Sequence, residues 1–377
     1  MPVTTSASPE SAAGHWTVPA GAASTFSWAY DDGRERLLAL YQRGKDRQWD
    51  AVRRIDWDLD VDPTDPLGTP DEALPLHGTP YWDRLSTGRR SELRQHFAAW
   101  QFSQFLHGEQ GAMVCSARIV ESAPDLDAKF FAATQTVDEA RHVEIFSRFL
   151  REKIELSYPI NDSLRTLLDD TLRDSRWDMP YLGMQVLVEG LALASFGLLR
   201  DTTSKPLPRH LLAYVMQDEA RHVAFGRMAL RDHYRELSAT ELADREEFVI
   251  EGCHLMRNRL RGTEVLENFG VPRAAAVRIA EESGYLRAFR RTLFSRIAPC
   301  VKDIGLWSPE VREAFTGLCD GDARGSDLDH LMRQDDEIAE ALDAERFAAE
   351  ETARAAEISE MVTLGGERGS GAADVSA

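Results

Sequence analysis

Residues 138–143 read DEARHV, and residues 218–223 read DEARHV again. The copies stand eighty positions apart in a chain of 377 residues that has no other evident repeat. On a helix, side chains three positions apart share a face. Glu139 therefore pairs with His142, and Glu219 with His222. Around them lie Gln135, Val143 and Phe146 in the first copy, and Val215, Val223 and Gly226 in the second. Both faces are partly apolar. A single copy reads equally well as a solvated face with charge pairs, but a shared upstream partner removes that reading.

That partner is a glutamate thirty residues earlier: Glu109 precedes Glu139, and Glu189 precedes Glu219. The midpoints fall at Pro124, in SAPDLD, and at Ser204, in DTTSKPLP, both turn-like. If each pair of helices folds back at its midpoint, the two glutamates of a pair lie level, about 22 Å from the turn at 1.5 Å per residue. Spacing alone brings four Glu and two His into one layer. Glu189 interrupts YLGMQVLVEGLALASFGLL (181–199), where Gln185 and Ser195 are the other polar residues. An unpaired carboxylate in such a helix is costly, and a bound cation removes the cost. Glu109, in WQFSQFLHGEQGAMVCSA (100–117), poses the same problem. Four carboxylates and two imidazoles suit two divalent metal ions.

From Thr87 to Glu357 apolar residues recur at helical steps, and β-branched alternation is scarce. Prolines at 124, 159, 180, 206, 208, 272 and 299 separate segments. The pattern predicts a helix near 31–48, then helices near 88–122, 125–156, 179–200, 208–237, 240–268, 272–298, 308–319 and 326–359. The expected fold is all-α, a four-helix bundle with additional N- and C-terminal helices. We expect a flexible N-terminus over 1–28 and a helix with an irregular connection over 29–87. The metal-bearing core is 88–237, C-terminal helices pack on it over 238–360, and 361–377 form a disordered tail.

The formal net charge of -19 argues against nucleic acid and anionic membrane surfaces as partners. No signal peptide or long uninterrupted apolar span is evident, and the four cysteines form no C-x-x-C, so a cytoplasmic location is expected. A third ExxH, Glu251 to His254, has Arg221 thirty residues upstream and reads as an ordinary helix surface. His107 lies on nearly the opposite face from Glu109 and is not expected to be a ligand. The basic stretch 257–296 suits an acidic electron donor or a phosphate-bearing carrier, with a solvated helix face as the plainer reading.

Two Glu from separate helices plus two ExxH motifs is the known ligand pattern of ferritin-like di-metal bundles. On Glu109, Glu139-Ala-Arg-His142, Glu189 and Glu219-Ala-Arg-His222, over about residues 88–237, the chain resembles the ferritin-like di-iron carboxylate superfamily. The resemblance implies two Fe ions, with Mn as an alternative, held by Glu109, Glu139, His142, Glu189, Glu219 and His222. By analogy Asp138 and Asp218 orient the histidines through their second nitrogens, and Arg141 and Arg221 hold those carboxylates. Surface ion pairing also explains these four.

Radical-generating relatives carry a Tyr four residues after the first ExxH His; Phe146 stands there. The p-aminobenzoate N-oxygenase group carries a third His four residues before the second ExxH Glu; Val215 stands there. The resemblance is nearest to oxygenases acting on small metabolites. It implies O2 activation and C- or N-hydroxylation of a small or carrier-bound substrate. An acyl-type desaturase, and a di-manganese or mixed-metal oxidase or peroxidase-like protein, stay open as alternatives. Helix faces place Ala112, Met113, Ser116, Gln135, Phe146 and Leu193 around the substrate. The chain has no flavin, nicotinamide or iron–sulfur motif, so a separate reductase or ferredoxin is expected. A homodimer is the expected assembly.

Overall fold

The structure, a computed structural model, describes residues 16–19, 23–27, 30, 33–319 and 328–369. The chain runs through α1 (Glu35–Asp46), α2 (Ala51–Arg54), α3 (Pro80–Asp83), α4 (Thr87–Ser122), α5 (Leu126–Phe149), α6 (Asp162–Arg173), α7 (Glu189–Thr202), α8 (Pro206–Tyr234), α9 (Ala239–Arg259), α10 (Thr263–Asn268), α11 (Arg273–Glu282), α12 (Gly284–Asp303), α13 (Pro309–Leu318) and α14 (Leu328–Gly369). No strand occurs among the described residues. The all-α expectation holds.

Both predicted hairpins form. Ala123 to Asp125 turn α4 into α5, and the Asp125 side chain accepts from the Ala128 amide to cap the new helix. Thr203 to Lys205 turn α7 into α8, which starts on Pro206, where the missing N–H is harmless. Apolar residues form one cluster on each side of a polar layer. On α5, Phe131 and Ala132 belong to one cluster and Ile145, Phe146 and Phe149 to the other. On α8 the order reverses, with Leu211 to Met216 in the second cluster and Phe225 and Ala229 in the first. The antiparallel directions thus place the two DEARHV copies level, between two dry walls.

The structure departs from the expected helices in several places. α6 was not expected; it lies in the gap between 156 and 179. Its signal is present: Asn161 caps it, and Leu164, Leu167, Leu168 and Leu172 bury one stripe. It packs closely on α4, where a Cβ at Gly111 would meet Leu168 at 2.6 Å. The expected helix 240–268 breaks at Gly262, whose φ of 63° is left-handed. The expected helix 272–298 divides at Ser283, and Pro299 lies inside α12 instead of between helices. α7 is entered through a π-helical stretch, Tyr181–Val188. Together Tyr181–Thr202 are long and apolar enough to cross a membrane, but they are mostly buried inside the bundle.

Of the expected flexible segment 1–28, residues 16–19 and 23–27 are described. There the Trp16 indole donates to Asp169, and the Thr25 amide donates to the Glu121 carbonyl. The rest of 1–28 lies outside the described residues. α14 continues to Gly369, into the segment expected to be a disordered tail; residues 370–377 lie outside the described residues. α14 is tied to the bundle by Arg200 with Asp335, Arg54 with Asp343 and Arg47 with Glu340.

Candidate metal centre

All six candidate ligands meet in the polar layer, and none is more than 4% exposed. The His142 Nδ1 lies 3.2 Å from Glu109, 3.2 Å from Glu139 and 3.1 Å from Glu219. The His222 Nδ1 lies 3.0 Å from Glu139 and 3.6 Å from Glu219. The imidazole centroids are 6.1 Å apart. Two groups of donor atoms result: Glu109, Glu139, His142 and Glu219; and Glu139, Glu189, Glu219 and His222. In each, the donors lie within 4.8 Å of one another. Glu139 and Glu219 belong to both groups, so they stand where two ions would share ligands.

The predicted supporting residues are also in place, but crossed. The His142 Nε2 faces Asp218 at 3.2 Å, and the His222 Nε2 faces Asp138 at 3.3 Å. Each imidazole is therefore oriented by the aspartate of the other motif. Arg141 donates to both Asp138 and Asp218, and Arg221 donates to Asp218 and lies 3.5 Å from Asp138. The two arginines are buried, which rules out the surface ion-pair reading.

Sequence reasoning missed Gln48 and Trp49. Gln48 donates to Asp138 at 2.7 Å, and the Trp49 indole donates to Asp218 at 2.8 Å. They lie in the connection between α1 and α2, far from either motif, and no spacing rule points to them. Trp49→Phe keeps an aromatic, though smaller, side chain and removes the N–H. A hydrogen bond to a charged group is worth about 1.5–3 kcal/mol. A loss near the lower end is expected, because Arg141 and Arg221 also serve Asp218. A denaturant midpoint that does not move would show that the indole bond contributes nothing.

Electrostatics separates the carboxyls. Burial, and then repulsion from Glu219, push Glu109 and Glu189 well above the usual carboxylate range. Burial acts the same way on Glu139, but His222 and His142 outweigh it and hold this carboxyl low. For His142, burial opposes the charge, yet Asp218, Glu109 and Glu139 raise the imidazole well above its ordinary value. His222 is raised likewise, burial being outweighed by Glu139 and Asp138. Protons thus stand in for cations. They leave buried donors unused: among the described residues Glu189 Oε2 has no hydrogen-bond partner, and the Glu219 oxygens, though 3.1 and 3.6 Å from the two imidazoles, form no hydrogen bond of good geometry. Buried polar atoms are rarely left so. Oxygen-rich donors with two imidazoles fit iron or manganese, so the residues present fit a pair of such ions.

The expected pocket residues divide. Ala112 lines a narrow space of about 10 Å³ beside Glu109, Glu189 and Glu219. Gln135 hydrogen-bonds to the carboxylates themselves. Phe146 packs behind the space, edge-on to Phe102 and tilted against Phe105 and Phe196. Met113, Ser116 and Leu193 require correction, since they line neither this space nor the larger one described next. Ser116 instead bonds to Thr136 and to the Met113 carbonyl, and Leu193 packs on the apolar clusters. The reason is direction. A cavity of about 340 Å³ lies on the opposite side of Glu109, along the part of α4 that precedes it. Phe97, Trp100, Phe105, Leu199, Arg259 and Phe289 contribute to its wall. Phe105 and Arg259 line both spaces and so separate them.

Glu251 and His254 are exposed, as expected for a helix surface. His107 bonds to the Tyr158 carbonyl. In the basic stretch, Arg257, Arg261 and Arg290 converge on Glu281, which gives them a structural role.

With this geometry established, comparison with known proteins is informative. The family model of the p-aminobenzoate N-oxygenase AurF matches residues 31–305. Among solved structures, a variant R2-like ligand-binding oxidase with anaerobically reconstituted Mn/Fe cofactor is similar at a TM-score of 0.51 and 17% identity, covering 74% of this chain and 97% of that one. Another variant, with aerobically reconstituted Mn/Fe cofactor, gives 0.51 and 17%, covering 74% and 96%. At these identities the likeness concerns the fold, which is ferritin-like. No curated protein matches the chain at a significant level.

Proposed function

The chain belongs to the AurF N-oxygenase family, and from that premise we propose that it is an O2-activating oxygenase that hydroxylates nitrogen or carbon of a small metabolite at a di-metal centre. The observation that carries the reading is the buried pair of donor groups sharing Glu139 and Glu219. Glu109, Glu139, His142, Glu189, Glu219 and His222 would hold the ions. When bound, a pair of iron ions, or of iron and manganese, supplies the electrons that activate O2.

The chain's own residues set the conditions. Asp218 and Asp138 accept from the outer imidazole nitrogens and fix the ring orientations, so that Nδ1 of each histidine faces the carboxylates. Phe105, Phe146 and Phe196 wall the layer and exclude water that would quench an oxidising centre. The larger cavity is the proposed substrate site. Its position beyond Phe105 makes that ring the barrier a reacting atom must pass or lean against. Arg259 is buried there, and desolvation lowers it to about 10 against the opposing pull of Glu109.

Val215 is a departure from the family's third histidine. It is fully buried in the apolar cluster beneath the layer, and among the described residues no other imidazole joins the two donor groups. The proposed ligand set is six, and family membership holds despite this position. Electrons for turnover are proposed to come from a separate reductase or ferredoxin.

The test uses iron-loaded, chemically reduced protein, 18O2 and p-aminobenzoate as the probe arylamine. The expected results are stoichiometric O2 consumption and 18O on the amine nitrogen. Failure of the reduced, loaded protein to consume O2 would overturn the oxygenase reading.

A further inference from the structure

The two donor groups are not equivalent. A neutral side chain touches two members of the group containing Glu189, but only the shared Glu139 of the other. Gln135 is fully buried, and its Nε2 donates to Glu139 at 3.0 Å and to Glu189 at 2.9 Å. Its own carbonyl oxygen accepts from the Gln185 Nε2 at 3.0 Å. One planar amide thus spans two carboxylates from different helices, and a second amide fixes its plane. Gln185 lies in the π-helical stretch before Glu189; its Oε1 is buried with no hydrogen-bond partner among the described residues, so the bond from its Nε2 to Gln135 is what holds its amide.

The space for Gln185 is supplied from α8. A Cβ at Gly226 would meet the Gln185 Cβ at 2.6 Å, too close for any rotamer change to relieve. Gly226 stands four residues after His222, on the same face. A relay runs from Gly226 through Gln185 and Gln135 to Glu139 and Glu189. At the position equivalent to Gln135, four residues before Glu219, the second motif has Val215, so only one side carries the device.

We propose that Gln135 is a positioning residue that sets the separation of Glu139 and Glu189, and thereby the affinity of the metal position these two share with Glu219 and His222. Gln185 orients it, and Gly226 admits Gln185. The proposal rests on the reading of this layer as a metal centre. The NH2 group holds two carboxyls together that would otherwise repel once ionised, so the position is organised before the second ion enters.

Anaerobic Mn(II) titration of the full chain, followed by electron paramagnetic resonance, tests this. Wild type is expected to bind two ions and give an exchange-coupled signal. Gln135→Leu is expected to keep one position and to weaken the other about 10- to 100-fold, the usual effect of removing a group that orients a metal ligand. At intermediate Mn(II) it would show an isolated six-line signal. Gly226→Ala is expected to act in the same direction. It should add nothing in a Gln185→Ala background, because its clash partner is gone. A purely structural role would lower the melting temperature and leave both affinities unchanged, which would overturn the proposal. So would a Gly226→Ala effect undiminished by Gln185→Ala. If Gln135→Leu does not fold, the Gly226 and Gln185 variants carry the test. Wild type that binds no Mn(II) and no Fe(II) would instead overturn the metal reading itself.

Discussion

Glu139→Ala is expected to abolish both metal positions, whereas Glu189→Ala is expected to remove one. Glu139 belongs to both donor groups and lies within hydrogen-bonding distance of both imidazoles; Glu189 belongs to one group. Metal analysis after anaerobic Fe(II) loading should therefore fall from about two ions per chain to none in the first variant and to about one in the second. The metal-free proteins should respond in the opposite sense. Glu189 is 2% exposed and has a carboxyl oxygen without a partner. Relief of the repulsion that Glu219 and Glu139 exert on this buried carboxyl is stabilising, and Glu189→Ala is expected to gain by it, less the cavity it leaves and the lost bond from Gln135. Thermal denaturation of metal-free protein checks this. A variant with unchanged metal content and unchanged stability would mean that the layer is a vestigial scaffold.

Metal affinity is expected to rise steeply with pH, and binding to release protons. Burial and Glu219 raise Glu109 and Glu189, so in metal-free protein these carboxyls stay protonated above the ordinary carboxylate range. His142 and His222 are raised as well, by the carboxylates facing them, and remain protonated above the usual imidazole range. Each must lose its proton to become a ligand. The free protein thus binds more protons than the loaded one, and lowering the pH weakens binding. The same shifts govern metal-free stability. A group raised on folding stabilises below its unfolded value and loses that contribution as pH rises through its folded value. For these four groups the window opens near the ordinary carboxylate and imidazole values and extends upward. Metal-free protein should therefore lose stability as pH rises from the ordinary carboxylate range through neutrality into the alkaline range, while loaded protein should not. Calorimetry in buffers of different ionisation enthalpy measures the released protons. Zero release near neutrality would show that these four groups are already deprotonated before metal enters or that metal binds elsewhere.

The layer was legible because its signal is local and periodic. ExxH at a three-residue step fixes a helix face, and a thirty-residue interval about Pro124 and Ser204 fixes the level of the partner glutamates. Both features survive tertiary packing, because the cost of burying Glu189 without a partner leaves few alternatives. What sequence reasoning missed depends on long-range contact. Trp49 and Gln48 reach Asp218 and Asp138 from an irregular connection. Gln185 reaches Gln135 only because Gly226, on another helix, leaves room. The cavity of about 340 Å³ was not foreseen for a related reason. Two sides of a ligand helix are equally apolar in sequence, Phe102 and Phe105 before Glu109 and Ala112 and Cys115 after it. Which side opens is decided by the neighbours, here the segment from Leu67 to Pro75 and the helices bearing Arg259 and Phe289. α6 falls between Pro159 and Pro180, read in the sequence only as breaks between helices, although its leucine stripe is clear.

Six buried side chains from four helices are proposed to enclose two cations. Diffraction from Fe(II)-loaded crystals, with data collected at the iron absorption edge, is expected to give two anomalous peaks flanking Glu139 and Glu219, one beside His142 and one beside His222. A single peak, peaks on the surface, or an unchanged layer with no iron would overturn that arrangement.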